Sequence, residues 1–167
     1  MKTIKLTSKD FKNGKYVGKE NFSVYEGVDC NVEIEANLGW VSFVALKVKG
    51  YIQALAGTGI EASEGIKAGE GIEAGLGIKA GWGIKAGEGI ECKLALSFRY
   101  RLFAGTSVYR GTDTEEKQVE CGRLEGGTVC YGDVKELGMP DEPKKRSLSG
   151  KTVKVTLDGE EYEATIK

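Results

Sequence analysis

The 167-residue sequence contains no histidine and only two prolines. Without an imidazole group, the chain has no Ser–His or Cys–His nucleophile pair, no histidine general base and no His-ligated metal site. Its four cysteines, Cys30, Cys92, Cys121 and Cys130, show none of the C-x-x-C spacing that is typical of zinc sites. We therefore expect no metal ion and no cofactor.

The sequence also has no long apolar run, and its start, MKTIKLTSKDF, lacks the hydrophobic segment of a signal peptide. We expect a protein that does not contact membranes and works in the cytoplasm. The net charge is −1, from 24 basic and 25 acidic residues. A balance of this kind gives no global attraction to nucleic acid, so direct nucleic-acid binding is not expected.

Glycine, in contrast, is abundant, and eleven of the 25 glycines fall between Gly57 and Gly89. In this stretch, six-residue segments such as IEAGLG and IKAGWG follow one another, with isoleucine at every sixth position from Ile60 to Ile90. An α-helix would scatter these isoleucines around its axis, and glycine costs a helix about 1 kcal/mol per residue relative to alanine. Short Ile-x-Ala strands joined by Gly-x-Gly corners instead predict a parallel β-solenoid, in which glycine supplies the backbone angles of the corners.

The alternation of inward and outward side chains extends beyond the glycine-rich repeat. Six is an even number, so a strand sends the same positions inward in every repeat. Apolar residues occupy even positions from Cys30 to about Asp113. This parity predicts that Trp40, Phe98 and Tyr100 fill the interior, which argues against the stretch SFRYRLF as a nucleic-acid surface.

The number of residues in one coil follows from the outward corner residues. Three hexads, forming a triangular coil of about 18 residues, would stack Leu76 and Trp82 on large apolar residues and Glu70 on Glu88. Two hexads, in a flattened 12-residue coil, would place Leu76 between Glu64 and Glu88. Because the triangular coil stacks apolar residues together, we favour 18 residues per coil.

The chain divides into five segments. The last one has an Asp-Gly turn at 158–159, which places Val155 opposite Tyr162 in a two-stranded hairpin. Cys121 and Cys130 flank a turn-like segment and form either reduced thiols or a disulfide. The predicted segments are an N-terminal cap at 1–29, the β-solenoid at 30–113, a short β-hairpin region at 114–137, a linker at 138–150 and a C-terminal β-hairpin at 151–167.

The GI[EK]AG[EWL] array and the upstream stretch NVEIEANLGWVSF resemble the glycine-rich hexad-repeat β-helix proteins of bacteriophages and prophages, over residues 21–132. The array is superficially similar to hexapeptide-repeat β-helix proteins as well. In those proteins, however, the small residue precedes the aliphatic one by two places, and their acyltransferase activity uses a histidine. The phage resemblance implies a mobile-element protein, most specifically an inhibitor of a host defence complex of the anti-CRISPR kind. Its partner would be a host protein or protein–nucleic acid complex.

The candidate partner-binding residues point outward on the solenoid. Leu76 and Trp82 replace the glutamates of neighbouring hexads, and large exposed side chains on a stiff scaffold are common interface anchors. Alternatively, the tail of the chain folds back and covers them. The full candidate set is Leu76, Trp82, Glu70, Glu88, Arg99 and Arg101.

The acidic residues of the repeat form no singular cluster in the sequence, so we expect a binding protein and not an enzyme. Two alternatives stay open. One is a phage tail or baseplate component that self-associates through the solenoid ends or the C-terminal hairpin. The other is a carbohydrate-binding or carbohydrate-processing β-helix, in which paired carboxylates would cleave glycosidic bonds.

Overall fold

The computed structural model describes residues 1–106 and 117–139, together with the backbone of two strands at Thr152–Leu157 and Glu160–Thr165. Apart from 3-10 helix at Ser8–Asp10 and at Lys117, every regular element in these residues is a β-strand. Within them, no helix has the length and apolar character needed to cross a membrane.

The strands are short, and most of those in the repeat have three residues. The first seven are β1 (Lys2–Leu6), β2 (Phe11–Lys12), β3 (Lys15–Tyr16), β4 (Cys30–Ile34), β5 (Gly39–Phe43), β6 (Leu46–Lys47) and β7 (Ile52–Ala54). The repeat adds β8 (Thr58–Ala62), β9 (Ile66–Ala68), β10 (Ile72–Ala74), β11 (Ile78–Ala80), β12 (Ile84–Ala86) and β13 (Ile90–Cys92). The others are β14 (Ala95–Phe103), β15 (Gln118–Cys121), β16 (Arg123–Tyr131), β17 (Asp133–Glu136), β18 (Thr152–Leu157) and β19 (Glu160–Thr165).

Parallel pairing arranges most of these strands in three ladders around one interior. Face A is the ladder β1-β4-β7-β10-β13-β15-β17. Face B contains β5, β8, β11 and the first half of β14, and face C contains β6, β9, β12 and the second half of β14. Each circuit of the chain adds one strand to each face, so the protein is an all-β parallel solenoid, as predicted.

In the glycine-rich repeat, paired residues lie 18 positions apart. Ile60 pairs with Ile78, and Ile78 pairs with Leu96. In the preceding coil the interval is 19 or 20 residues, as in the pairing of Val41 with Ile60. Three hexads therefore separate strands that are neighbours in a ladder of the repeat.

The interior is built from the first and third residues of each hexad. The six isoleucines from Ile60 to Ile90 are at most 2% exposed, and the alanines two places later are at most 3% exposed. Each isoleucine contacts the equivalent residue in the next coil, and burial of one such side chain contributes about 1.5–3 kcal/mol. A continuous aliphatic core therefore holds the coils together.

The predicted even-position parity does not hold at β5. Val41 and Phe43 are buried there, whereas Trp40 is 45% exposed, so the prediction that Trp40 fills the interior is wrong. The corner before β5 contains Asn37 and Gly39, with φ of 61° and 69°. These left-handed residues turn the chain and shift the inward positions from even to odd.

The same parity prediction is wrong at Tyr100. Phe98 is 3% exposed and Leu102 is fully buried, but Tyr100 is 54% exposed. The chain passes from face B to face C within β14, and the pairing of β14 with β16 is irregular at that point. Tyr100 is therefore a corner residue, and its side chain points outward because the strand bends there.

The glycines of the repeat do not supply unusual backbone angles. Between Gly59 and Gly87 none of the glycines with a described conformation has a positive φ, unlike Gly57 at 76°. Instead, these glycines allow the backbones of successive coils to approach closely, since a Cβ at Gly77 would lie 2.6 Å from the carbonyl oxygen of Ala95. The expectation that glycine serves the corner angles is therefore wrong for the repeat.

The solenoid extends beyond the predicted 30–113 range at both ends. At the N-terminal end, β1 pairs with β4 and belongs to face A. The antiparallel pair β2–β3 brings Phe11 and Tyr16 against Phe43, with ring centroids 5.8 and 5.2 Å away, and Phe22 packs on Tyr16 at 5.3 Å. The predicted N-terminal cap is therefore partly a first coil and partly an aromatic cluster at its end.

The hairpin predicted over 114–137 is wrong. β15, β16 and β17 pair in parallel with strands of the preceding coil, and β16 follows β14 along most of its length. Gly126 and Gly127 have positive φ, at 84° and 38°, but they let β16 follow the bend of β14 and do not reverse the chain. Cys121 is buried, Cys130 is exposed, and both are free thiols.

The C-terminal hairpin is confirmed in its strand pairing. β18 and β19 are antiparallel, with Val155 opposite Tyr162 and Val153 opposite Ala164, and they pair with each other in a separate sheet. The turn at 158–159 and most of the predicted 138–150 linker lie outside the described residues, as does the end of the predicted solenoid at Asp113.

Candidate binding surface

The residues that the sequence singled out lie at the corners of the coil. Each coil has three corners, one between each pair of faces, and every corner holds at least one candidate residue. Leu76 lies between faces A and B, Trp82 between faces B and C, and Glu70 between faces C and A. Backbone hydrogen bonds connect each corner to the next coil: Leu94 N–H donates to Leu76 (3.0 Å), Tyr100 N–H to Trp82 (2.8 Å) and Glu88 N–H to Glu70 (3.4 Å).

The corner between faces B and C carries two large exposed rings. Trp82 is 52% exposed and Tyr100 is 54% exposed, one coil further along. Arg99 N–H donates to the same Trp82 carbonyl at 3.0 Å, and its guanidinium carbon lies 5.3 Å from the centroid of the Tyr100 ring. This is a cation–π contact. We call Trp82, Tyr100 and Arg99 the aromatic corner, and Arg101 follows it at the start of the C half of β14.

Face C, beside the aromatic corner, carries lysines in register. Lys47 pairs with Lys67, and Lys67 pairs with Lys85. Phe103 is the next outward residue and pairs with Lys85. None of the three lysines has an ion-pair partner among the described residues. We call Lys47, Lys67 and Lys85 the lysine column; neighbouring strands are about 4.8 Å apart, so its like charges repel one another.

Face A carries carboxylates at its centre. Glu73 pairs with Glu91, and Gln53 Nε2 donates to Glu73 Oε2 at 2.8 Å. With Glu70 and Glu88 at the adjoining corner, they line a shallow groove of about 450 Å³. We call this the acidic groove.

Lysines neutralise the carboxylates at both ends of face A. Lys135 Nζ lies 3.0 Å from Glu120, and Lys5 Nζ lies 3.3 Å from Glu33. Tyr51 also donates its hydroxyl to Glu33 at 2.8 Å. This hydrogen bond, followed by the contact with Lys5, holds the pKa of Glu33 below its ordinary value. The negative charge of face A is therefore concentrated at its middle.

Face B differs from the other two because its charges alternate. Glu61 pairs with Lys79, and Lys79 Nζ lies 2.9 Å from Glu61 Oε1. The sequence predicts no singular cluster of acidic residues in the repeat, and the acidic groove shows that this interpretation is wrong. The sequence does contain a signal for both features. Outward residues that lie 18 positions apart carry the same charge in the lysine column and in the acidic groove, and a comparison at intervals of six residues does not show this.

The buried thiols offer no reactive site. Burial raises the pKa of Cys92 to about 12 and that of Cys121 to about 11, so both are protonated at neutral pH. Among the described side chains, no three of the cysteine, aspartate and glutamate residues are placed so that they could hold a metal ion.

No protein-family model, no curated protein and no solved structure matches the chain. The resemblance to phage hexad-repeat proteins therefore stays a prediction from the sequence. The aromatic corner, the lysine column and the acidic groove are the observations on which a functional proposal rests.

Proposed function

We propose that the protein is a non-enzymatic binding module whose stiff solenoid presents the aromatic corner and the lysine column to a macromolecular partner. The observation that carries this proposal is that Trp82 and Tyr100 lie at the edge of a column of lysines that have no ion-pair partner in the described part of the chain. Tryptophan, tyrosine and arginine are the residues that contribute most binding energy at interfaces. Their exposure beside unpaired charge supports a partner that covers both.

The stiffness of the scaffold supports the same role. Every coil of the repeat is fixed by buried isoleucines on three faces and by backbone hydrogen bonds to the coils on either side. Side chains on such a surface lose little backbone freedom when a partner binds, which lowers the entropic cost of association.

A binding role is better supported than carbohydrate processing. A glycosidase needs one carboxyl group kept protonated by a buried, apolar environment beside a second, ionised one. Glu73 and Glu91, the paired carboxylates at the centre of the acidic groove, are both exposed. Neither side chain therefore lies in the buried, apolar environment that the acid of a glycosidase needs.

We infer that the partner is a host protein or protein–nucleic acid complex. The resemblance to phage-encoded repeat proteins supports the narrower hypothesis that this partner is a host defence complex, which the protein inhibits in the host cytoplasm. Leu76, Glu70 and Glu88 lie at the other corners of the coil, so a partner that contacts them as well must wrap around the rod.

The test is an affinity capture from host lysate with three forms of the protein. Wild type and Tyr25→Ala, which removes a ring that is 91% exposed and distant in sequence, should retain the same partner. The double variant Trp82→Ala/Tyr100→Ala should lose it by about 30-fold or more. Circular dichroism checks that all three are folded. Equal recovery by the three forms would contradict the proposal.

A second function, end-to-end self-assembly, is favoured by one specific observation. β17 is the last strand of face A and pairs with β15 alone in the described part of the chain. Val134, Leu137 and Met139 at this end are 39%, 57% and 45% exposed. An open strand edge with apolar side chains favours stacking of rods, as a phage structural component would require. Light scattering should then show growth with concentration that Val134→Lys abolishes; a concentrated monomer would exclude this function.

A further inference from the structure

We propose that the aromatic corner and the lysine column together bind single-stranded nucleic acid, with bases stacked on Trp82 and Tyr100 and phosphates on the cations of face C. This inference rests on the proposed function, because it uses the same surface, and it narrows the partner to a protein–nucleic acid complex whose nucleic acid makes the contact. The net charge of the whole chain and an inward Tyr100 are the two grounds on which the sequence predicts no direct nucleic-acid binding. Tyr100 is exposed, and the charge of the chain is divided between faces.

The cations beside the rings outnumber the anions. The acidic side chain in the column of the aromatic corner is Glu64, whose carbonyl accepts from Trp82 N–H at 3.0 Å, and Glu70 and Glu88 lie at the opposite corner of face C. Glu61 on face B is already paired with Lys79. The cationic side chains on or next to face C are Lys47, Lys67, Lys85, Arg99 and Arg101. A local excess of positive charge attracts a polyanion even when the net charge of the chain is slightly negative.

Both rings offer exposed surface for stacking, since Trp82 is 52% and Tyr100 is 54% exposed. Trp82 and Tyr100 belong to consecutive coils, about 4.8 Å apart along the rod. That separation exceeds the stacking distance of about 3.4 Å in a duplex and suits an extended single strand, whose bases are free to lie on aromatic rings. Because a duplex keeps its bases inside, it could use the lysines but not the rings.

The convex shape of the corner favours nucleic acid over an acidic protein. Rings that anchor protein interfaces sit at the centre of a packed apolar patch from which water is excluded. Trp82 and Tyr100 instead project from an edge, flanked by Arg99, Arg101 and the carboxylate of Glu64. A base needs only one face of a ring, and the neighbouring cations can reach its phosphates.

The geometry also sets the direction of the bound strand. The lysine column and the column of the aromatic corner both run along the rod, from coil to coil. Phe103 continues the lysine column beyond Lys85 and is partly exposed. Glu64 lies below Trp82 in the coil of Lys67, so its charge disfavours phosphates at the corner itself. The strand should therefore run along the rod with its bases on Trp82 and Tyr100 and its phosphates on face C, at Lys67 and Lys85.

The test is fluorescence anisotropy of a labelled twenty-nucleotide oligothymidylate and of a twenty-base-pair duplex, at about 50 mM salt. Wild type should bind the single strand, and bind it more tightly than the duplex. Trp82→Ala/Tyr100→Ala should weaken binding by about 30-fold or more. Lys67→Glu/Lys85→Glu should weaken it and reduce its dependence on salt concentration.

The matched controls are Tyr25→Ala, for loss of an exposed ring, and Lys93→Glu, for charge reversal at an exposed lysine away from face C. Neither should change affinity by more than about twofold. Absence of single-strand binding up to about 100 µM protein would overturn the inference, as would equal or tighter binding of the duplex. A partner captured from nuclease-treated lysate, with no oligonucleotide binding, would identify a protein partner; it overturns this inference and leaves the proposed function standing.

Discussion

Two alanine substitutions at equivalent glycines test why the repeat needs glycine. Gly71 and Gly83 both lie immediately before an inward isoleucine and point towards the next coil. A Cβ at Gly83 would lie 2.6 Å from the carbonyl oxygen of Arg101, whereas one at Gly71 would lie 3.5 Å from that of Gly89. The first distance is shorter than real Cβ atoms show, and the second is ordinary van der Waals contact.

The expected effects have opposite signs. Both substitutions restrict the unfolded chain equally, which stabilises the folded protein by about 0.4–1 kcal/mol. At Gly83 the neighbouring coil must also move by roughly half an ångström or more, and overpacking of this kind costs about 1–3 kcal/mol. We expect Gly71→Ala to raise the unfolding free energy by about 0.4–1 kcal/mol, and Gly83→Ala to lower it by about 1–2 kcal/mol.

Thermal unfolding followed by far-ultraviolet circular dichroism measures the difference. For a chain of this size, 1 kcal/mol shifts the melting temperature by about 2–4 °C. Gly71→Ala should therefore melt about 1–4 °C above wild type, and Gly83→Ala about 2–8 °C below it. Shifts of the same sign and size would refute the reasoning, because they would mean that the coils adjust their spacing freely.

Four further predictions concern single side chains. The buried Thr58 hydroxyl accepts from Leu38 N–H at 3.1 Å and donates to a carbonyl of the preceding coil at 2.7 Å, so Thr58→Val should cost about 1–3 kcal/mol in urea unfolding, and Thr58→Ser clearly less. A thiol reagent at pH 8 should label the exposed Cys130 and leave Cys92 unlabelled until the protein unfolds. Because burial raises the pKa of Cys92 from 9.0 to about 12, unfolding releases its proton between these values, and the unfolding free energy should fall with pH in that range, less steeply in Cys92→Ala. Lys67→Glu, which places a carboxylate between two lysines, should stabilise the fold by about 0.2–1 kcal/mol at low salt and by less at high salt.

The interior of the repeat could be predicted because its period leaves no ambiguity. An isoleucine every sixth residue, followed by a small residue two places later, keeps one parity through every strand from Ile60 to Ile90. The stacking of apolar corner residues also followed, since Leu76 and Trp82 have large partners three hexads later. Local alternation and a fixed repeat length were sufficient for both.

Residues at irregular corners could not be predicted in the same way. Nine residues separate Val32 and Val41, the inward residues of neighbouring faces, where the repeat has six. The longer corner moved Trp40 outward, and no regular glycine spacing marks it in the sequence. Parity placed Tyr100 inward, although the 18-residue interval places it over Trp82 at the corner, because a strand can bend without a break in its apolar alternation. Inward and outward side chains alternate strictly only within a straight strand. The inward positions therefore have to be identified again after each corner.

The hairpin predicted around Gly126 and Gly127 is wrong for a different reason. Two glycines after a glutamate are typical of a tight turn, and local chemistry alone predicts a hairpin. The partner of β16 is β14, more than twenty residues earlier in the chain, and the pair of glycines serves the bend that β16 shares with it. Long-range parallel pairing leaves no local signature, so the candidate turn and the actual bend look alike in the sequence.

The separation of charge depends on the length of the coil. Along the repeat, outward charges alternate in an irregular order, and the 18-residue register places Glu73 with Glu91 on face A and Lys67 with Lys85 on face C. A 12-residue register would have placed Glu73 next to Lys85 and mixed the signs on every face. The solenoid therefore converts a nearly neutral sequence into a rod with one basic and one acidic side. A polyanion that approaches this rod is attracted by face C and repelled by face A, so its orientation around the rod is selected before the rings of the aromatic corner make contact.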